Sequence, residues 1–282
     1  MKMLKESLLG AGLALALTSA SAATVSQNLF SGFQQLSDNS AEALIKSPNN
    51  TGGSNIVEAG DRIRGVFDIQ TAEQNGVTHF IGVNGNNELT GIFDIVVVSK
   101  TTIVPPSGSN PGTFLFALAP SGVLGTNVAV QLYDDATPDF QRTGAITQAQ
   151  SEATAVDGNP WATLGFGPNG FWQLLSTAGD NVTNVTAIPA PGNGGTANFG
   201  LDLLVNNTGL NFGQVACLNG PVTVCGSGNI LGTGGVQTPW PIFDNVDLTI
   251  NVTQVPEPGA LSLFGLTALV LGGLSLRTRK NS

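Results

Sequence analysis

The stretch that decides the fold class begins with Val77-Thr78-His79-Phe80-Ile81-Gly82-Val83 and runs through Asn84-Gly85-Asn86-Asn87 into the apolar residues 89–98. Val, Ile, Phe and Thr favour strands, and an Asn- and Gly-rich tetrapeptide between two such runs is typical of a β-hairpin turn. Residues 62–69, just upstream, have the same character. The sequence therefore predicts neighbouring antiparallel strands in this region.

The same composition recurs along most of the chain, between turns rich in Gly, Pro and Asn. Further strands are predicted at residues 113–118, 128–133, 161–166, 171–175, 199–205, 210–216 and 246–252. Residues 145–156 predict a short helix, and the partly helical spacing of Phe30, Phe33 and Leu36 predicts another within residues 24–50. The pattern is typical of one antiparallel β-sandwich or jelly-roll-like domain, which we assign to residues 24–254.

The charge of this central region is strongly negative. Residues 24–255 contain five basic and seventeen acidic side chains, which gives a net charge of −12. Such a surface repels nucleic acid and anionic membranes, so no nucleic-acid partner is expected. It would tolerate cations and neutral sugars, or the charge simply keeps an exported protein soluble.

The N-terminus has the three parts of a secretory signal peptide. Lys2 and Lys5 precede the apolar residues 8–17, and Ala20-Ser21-Ala22 fits the pattern of small residues at a cleavage site. We assign residues 1–23 to this signal and expect cleavage after Ala22 or Ala23. The apolar run is too short to span a bilayer, so the central domain is expected outside the inner membrane.

The C-terminal residues 255–282 form a second distinctive segment. Pro256-Glu257-Pro258 is followed by the uncharged residues 259–276, and the basic cluster of Arg277, Arg279 and Lys280 comes last. As a helix the uncharged stretch would reach about 27 Å, just enough for one transmembrane span. Basic residues stay on the cytoplasmic side, so the tail is expected to point inward. The simplest interpretation is a permanent single-span anchor.

The order of these parts resembles the PEP-CTERM sorting signal of exopolysaccharide-producing Gram-negative bacteria. The resemblance implies a transient hold on the inner membrane, recognition of the tail by an exosortase, and release to the cell surface or extracellular matrix. It also implies an association with exopolysaccharide, biofilm or flocculation. The resemblance covers only the tail and implies no particular activity for the central domain.

The chain has two cysteines, Cys217 and Cys225, which flank the turn-like Leu218-Asn219-Gly220-Pro221. In an exported protein two nearby cysteines predict a disulfide. A metal-binding or catalytic role is the alternative.

Residues that carry enzyme chemistry are scarce. His79 is the only histidine, no Gly-x-Ser-x-Gly motif is present, and no phosphate-binding Gly-rich loop occurs. We therefore expect a structural role for His79 and no enzymatic activity. Asp134, Asp135 and Asp139 place three carboxylates on one predicted loop, where they would form a calcium site or an ordinary solvated turn. No other cofactor is predicted.

The three tryptophans, Trp161, Trp172 and Trp240, would either stack on sugar rings or pack in the core. The leading functional hypothesis is an exported, non-enzymatic surface or matrix protein that contacts exopolysaccharide. The second is a carbohydrate- or calcium-binding module, based on the tryptophans and the aspartates. The third is a secreted glycoside hydrolase that uses a pair of these carboxylates.

Overall fold

The computed structural model describes residues 25–53, 55–81, 87–181, 195–232 and 240–254. These ranges form fourteen strands and one α-helix. In chain order the strands are β1 Gly32–Ile45, β2 Arg62–Gln74, β3 Val77–Phe80, β4 Glu88–Val104, β5 Thr113–Pro120, β6 Val128–Asp135, β7 Asn159–Gly165, β8 Phe171–Ser176, β9 Gly195–Asn206, β10 Asn211–Gly213, β11 Val215–Cys217, β12 Gly220–Val222, β13 Val224–Gly232 and β14 Ile242–Gln254. The helix α1, Gln148–Ala155, lies between β6 and β7, and a 3-10 turn, Val25–Asn28, precedes β1.

Twelve of the strands form one antiparallel sheet in the order β3-β2-β1-β14-β13-β9-β7-β6-β4-β5-β8, with β10 beside β14. Because β2 also pairs with β4, and β9 with β8, the sheet closes on itself in a barrel-like arrangement. The antiparallel, mainly β class predicted from the sequence is confirmed. The prediction of a sandwich or jelly roll, with two packed sheets, is finer than the pairing order can test, and it stays a prediction. No helix within the described ranges is long and apolar enough to cross a membrane.

The turn predicted at Asn84-Gly85-Asn86-Asn87 lies outside the described residues except for Asn87, but the described strands on either side of it do not pair with each other as predicted. Strand β3 pairs with β2, and the turn between them is Asn75-Gly76. Both turn residues have positive φ, 52° for Asn75 and 78° for Gly76, as a two-residue hairpin turn requires. The sequence contains this Asn-Gly turn signal, but the turn was predicted instead at the longer Asn-rich tetrapeptide, residues 84–87.

The helix predicted within residues 24–50 is also wrong, since β1 occupies most of that segment. Alternate side chains of β1 face the inside of the closed sheet, and several of these are polar: Gln34, Asp38, Ser40 and Glu42. A strand with polar residues on its buried face lacks the apolar alternation by which strands are recognised. That departure from the pattern is itself a clue to function.

The main core fills the interior of the closed sheet, and a smaller cluster lies outside it. There α1 covers Ala41, Val66 and Ile92, which are outward-facing residues of β1, β2 and β4, together with the fully buried Trp240. The predicted short helix is confirmed. Thr147 caps its N-terminus, accepting a hydrogen bond from the Gln150 amide while the Gln150 side chain accepts one from the Thr147 amide.

Two neighbouring strands repeat one short motif, which the sequence analysis missed. Gly65-Val66-Phe67-Asp68-Ile69 lies in β2 and Gly91-Ile92-Phe93-Asp94-Ile95 in β4. The antiparallel register places each phenylalanine opposite the glycine of the other copy. A Cβ on either glycine would meet the facing ring, so the missing side chain makes room for the aromatic core.

Candidate functional site

The two targeting segments, 1–23 and 255–282, lie outside the described residues. Their predicted elements therefore stay predictions, including the motif Pro256-Glu257-Pro258 and the cluster Arg277, Arg279 and Lys280. The described fold begins at Val25, whose side chain is fully buried and whose amide donates to Asp134 Oδ2 at 3.2 Å.

The predicted disulfide between Cys217 and Cys225 is confirmed. It joins the end of β11 to the second residue of β13, so it fixes the small β11–β12 hairpin against the main sheet. Both cysteines are thereby removed as metal ligands or nucleophiles.

The three tryptophans are buried, with 7% exposure for Trp161 and Trp172 and none for Trp240. Trp161 Nε1 donates to Ser26 Oγ at 3.0 Å, and Trp240 Nε1 donates to Ser151 Oγ at 3.3 Å. Their rings pack in the two apolar clusters, which is the core alternative left open above. A ring that stacks on a polysaccharide at the surface must be exposed, so these residues do not support that form of the hypothesis.

The three aspartates predicted as one calcium site do not all face the same way. Successive side chains of a strand point to opposite faces, and Asp134 and Asp135 end strand β6. Asp134 is buried and accepts from Asn87 Nδ2 at 2.7 Å, in addition to the Val25 amide. Asp134 therefore fastens the segment before β1 to β6, and the structure brings Asp135 and Asp139 together with Glu88 instead.

Glu88, and not Asp134, is the third carboxylate of the group that contains Asp135 and Asp139. Oxygen atoms of Glu88, Asp135 and Asp139 lie within 4.8 Å of one another at the edge of β4 and β6. Glu88 also accepts from the amides of Asp139, at 3.3 Å, and Phe140, at 3.1 Å. Burial, assisted by the charges of Asp135 and Asp139, raises the pKa of Glu88 to about 7. Glu88 was missed because it begins β4, far from the aspartates in sequence.

A second group of carboxyls lies inside the closed sheet. The Ser40 hydroxyl contacts both Glu42 Oε1 and Asp244 Oδ1, and Asp38 Oδ1 accepts from the Val246 amide at 2.8 Å. Burial, followed by the charge of Asp244, raises the pKa of both Asp38 and Glu42 well above the ordinary range. Glu42 Oε2 has no hydrogen-bond partner among the described residues.

All five basic side chains of residues 24–255 are paired with carboxylates. The pairs are Lys46 with Asp61, Arg62 with Asp94, Arg64 with Asp94 and Glu152, Lys100 with Glu58 and Asp180, and Arg142 with Asp68. The excess negative charge is therefore carried by acids without a basic neighbour, and the region offers no unpaired cation to an anionic ligand.

His79 has structural contacts. Its ring stacks on Phe30 with centroids 4.0 Å apart, and Nδ1 lies 2.9 Å from the carbonyl oxygen of Asn28. These contacts fasten edge strand β3 to the segment before β1.

Comparison with protein-family models, with curated proteins and with solved structures found no match to this chain.

Proposed function

We propose that this chain is an exported, non-enzymatic protein of the cell surface or extracellular matrix that an exosortase-type enzyme sorts and that associates with exopolysaccharide. The observation that carries the proposal is the ordered tail of Pro256-Glu257-Pro258, an uncharged stretch and a basic end. We infer that a membrane peptidase could read such a tail, since proline residues favour an extended backbone.

One feature of the fold supports export. A disulfide such as Cys217–Cys225 persists in oxidising compartments outside the cytoplasm.

The test is the intact mass of protein recovered from the extracellular matrix of the producing cells. We expect a chain that lacks residues 1 to about 22 and everything from about the Pro256–Pro258 motif onward. A variant with Glu257→Ala and Pro258→Ala should keep its tail and stay with the membrane. Asp247→Asn, an exposed change in β14, is the matched control and should be processed normally. A released wild-type chain that still carries Arg277–Ser282 would refute the sorting proposal in favour of a simple anchor.

The role in the matrix has its own test. Deleting the gene should weaken aggregation and matrix retention, and the processed wild-type protein should restore them. Normal aggregation in the deletion strain would contradict the proposed role while leaving the sorting route intact.

The proposal includes the finer layout of an antiparallel sandwich or jelly roll. Support comes from β4 and β9, whose two halves pair with different neighbours. Strands that pass from one sheet to another at a corner behave in this way. A crystal structure of the mature chain would test the layout.

A calcium-binding module is the second candidate, favoured by the convergence of Glu88, Asp135 and Asp139. Calcium prefers several carboxylate oxygens on flexible loops, and extracellular sites are often weak. Calorimetric titration should therefore show binding with a dissociation constant of roughly 0.1–1 mM. Glu88→Gln should weaken binding, whereas Glu73→Gln on the exposed face of β2 should not. No heat at millimolar calcium would end this candidate.

A further inference from the structure

The interior of the closed sheet contains a cavity that the export function does not explain. It has a volume of about 60 Å³, and its walls are mostly apolar, with Phe93, Ile95, Phe116 and Leu174 among them. A second cavity of about 40 Å³ shares Phe93, Trp172 and Asp244 with the first. Since one water needs roughly 10–15 Å³ of such space, the larger cavity has room for a ligand of about five non-hydrogen atoms.

One side of this cavity is acidic. Glu42 and Asp244 line the larger cavity, while Asp38, Ser40 and Asp244 line the smaller one. Glu42 is 3% exposed, and its Oε2 atom has no hydrogen-bond partner in the described part of the chain. A buried polar atom without a partner points to a missing occupant, because such groups are nearly always satisfied in native proteins.

The hydrogen bonds within the cluster leave it short of donors. Ser40 has one hydroxyl proton but contacts carboxyl oxygens of both Glu42 and Asp244. One of these two contacts therefore requires a proton on a carboxyl group. An occupant that brings its own donors would relieve this shortage, and a positively charged donor would do so most strongly.

The charges around the cluster have the same sign. The negative charge of Asp68 also acts on Asp38. Asp180 lines the larger cavity, but its carboxylate pairs with Lys100 Nζ at 2.6 Å. The largest effect of a basic group on Asp38 and Glu42 comes from Arg142, which lies 3.7 Å from Asp68. No described basic side chain lines either cavity.

We propose that this interior cavity binds a small organic cation, a primary ammonium on a short aliphatic chain, with its head at Glu42 and Asp244 and its chain against Phe93, Ile95 and Trp172. The apolar walls match the aliphatic chain, and the carboxyl groups of Glu42 and Asp244 can accept the hydrogen bonds of the ammonium group. A neutral hydroxyl would supply one donor and would accept from Trp172 Nε1, which has no hydrogen-bond partner among the residues that the structure describes. It would, however, leave the acidic charge uncompensated.

The test compares three probes with the same four-carbon chain: n-butylammonium chloride, n-butanol and sodium butyrate. Calorimetry and thermal unfolding of the purified full-length chain should show saturable binding and a rise in Tm with n-butylammonium. Butanol should bind at least about tenfold more weakly because the charge-assisted hydrogen bonds are lost. Butyrate should not bind.

Three variants locate the site. Glu42→Gln should weaken n-butylammonium binding at least about tenfold, whereas Glu73→Gln on the outer surface should leave it unchanged. Leu174→Phe narrows the cavity without removing a carboxyl group and should also weaken binding, which keeps the test valid if Glu42→Gln fails to fold. Equal binding of butanol and n-butylammonium would overturn the cationic head. No saturable binding of any probe would mean that the cavity holds water only.

Discussion

At the scale of single residues, the carboxylate of Asp94 is the centre of a charge network. It is fully buried and contacts both Arg62 and Arg64. Burial alone would raise its pKa, but the hydrogen bonds from the two arginines hold the pKa of Asp94 below its ordinary value. Arg64 also forms two parallel hydrogen bonds of 2.8 Å to Glu152 of α1. The network therefore fastens the helix to the outside of the sheet.

We expect Arg64→Ala to lower the free energy of unfolding by about 2 kcal/mol, since it removes charged hydrogen bonds from two carboxylates. Arg142→Ala is the matched control. Its ion pair with Asp68 is 3.7 Å long and partly exposed, so the loss should stay below about 1 kcal/mol. Urea denaturation of both variants measures the difference, and equal losses would contradict a special role for the Arg64 network.

The Glu88 carboxyl predicts a dependence of stability on pH. Its pKa rises from 4.5 to about 7 on folding, mainly through burial. The folded chain therefore binds this proton more tightly than the unfolded chain does. The resulting stabilisation is fully present below about pH 4.5 and is lost as the pH rises through about 7.

We expect the free energy of unfolding to fall less steeply over this pH window in Glu88→Gln than in the wild type. Glu73→Gln should follow the wild-type curve, since its carboxyl is exposed. Denaturant titrations at several pH values give the comparison. Parallel curves for the wild type and Glu88→Gln would show that Glu88 ionises normally.

At the scale of secondary-structure elements, the sequence predicts strands well where their buried face is apolar. Strands β2, β4, β6 and β8 were all anticipated for this reason. Strand β1 was not, because its inward face carries Asp38, Ser40 and Glu42. The polar residues that break the apolar alternation of β1 also line the interior cavities. The failure to predict this strand and the proposed binding site therefore have the same physical cause.

Strand pairing was harder to predict than strand position. Local turn chemistry suggested a hairpin after Val83, whereas the observed hairpin turns at Asn75-Gly76. Likewise the candidate calcium ligands come from β4, β6 and the loop after β6, and only the pairing of Glu88 with Asp135 brings them together. Aspartates adjacent in sequence were an insufficient guide, since Asp134 and Asp135 face opposite sides of β6.

The disulfide belongs to this scale because it fixes one small hairpin. It closes a loop with a sequence separation of eight residues. In the chain-entropy description such a crosslink contributes about 2.5 kcal/mol. The double variant Cys217→Ser, Cys225→Ser should lose about that much unfolding free energy, and a reducing agent should affect the wild type but not the variant. A variant as stable as the oxidised wild type would show that the hairpin needs no covalent support.

At the scale of the whole molecule, closure of the sheet joins parts of the chain that are distant in sequence. Strand β1 pairs with β14, and Ser37 Oγ donates to Asp247 Oδ1 at 2.9 Å across a separation of 210 residues. No local pattern encodes such a pairing, so closure could not be predicted from sequence periodicity. Closure also brings Glu42 and Asp38 to the walls of the two cavities.

The charge balance of the whole domain leads to a prediction about its partners. All five cations of residues 24–255 are held in ion pairs, and the net charge of this region is −12. An anionic polysaccharide therefore meets repulsion and finds no unpaired basic side chain. A divalent cation could bridge carboxylates on both partners, and Glu88 with Asp135 and Asp139 offers a place for one.

We therefore expect the purified protein to sediment with an insoluble anionic polysaccharide in millimolar calcium chloride and to stay in solution in sodium chloride of equal ionic strength. Glu88→Gln distinguishes the source of the effect. Reduced sedimentation of this variant would assign the bridge to the Glu88 site, whereas unchanged sedimentation would assign it to the diffuse negative surface. A neutral polysaccharide is the control and should show no calcium dependence. Binding to the anionic polymer without divalent cations would contradict the argument, because it would require a cationic surface that the described residues do not provide.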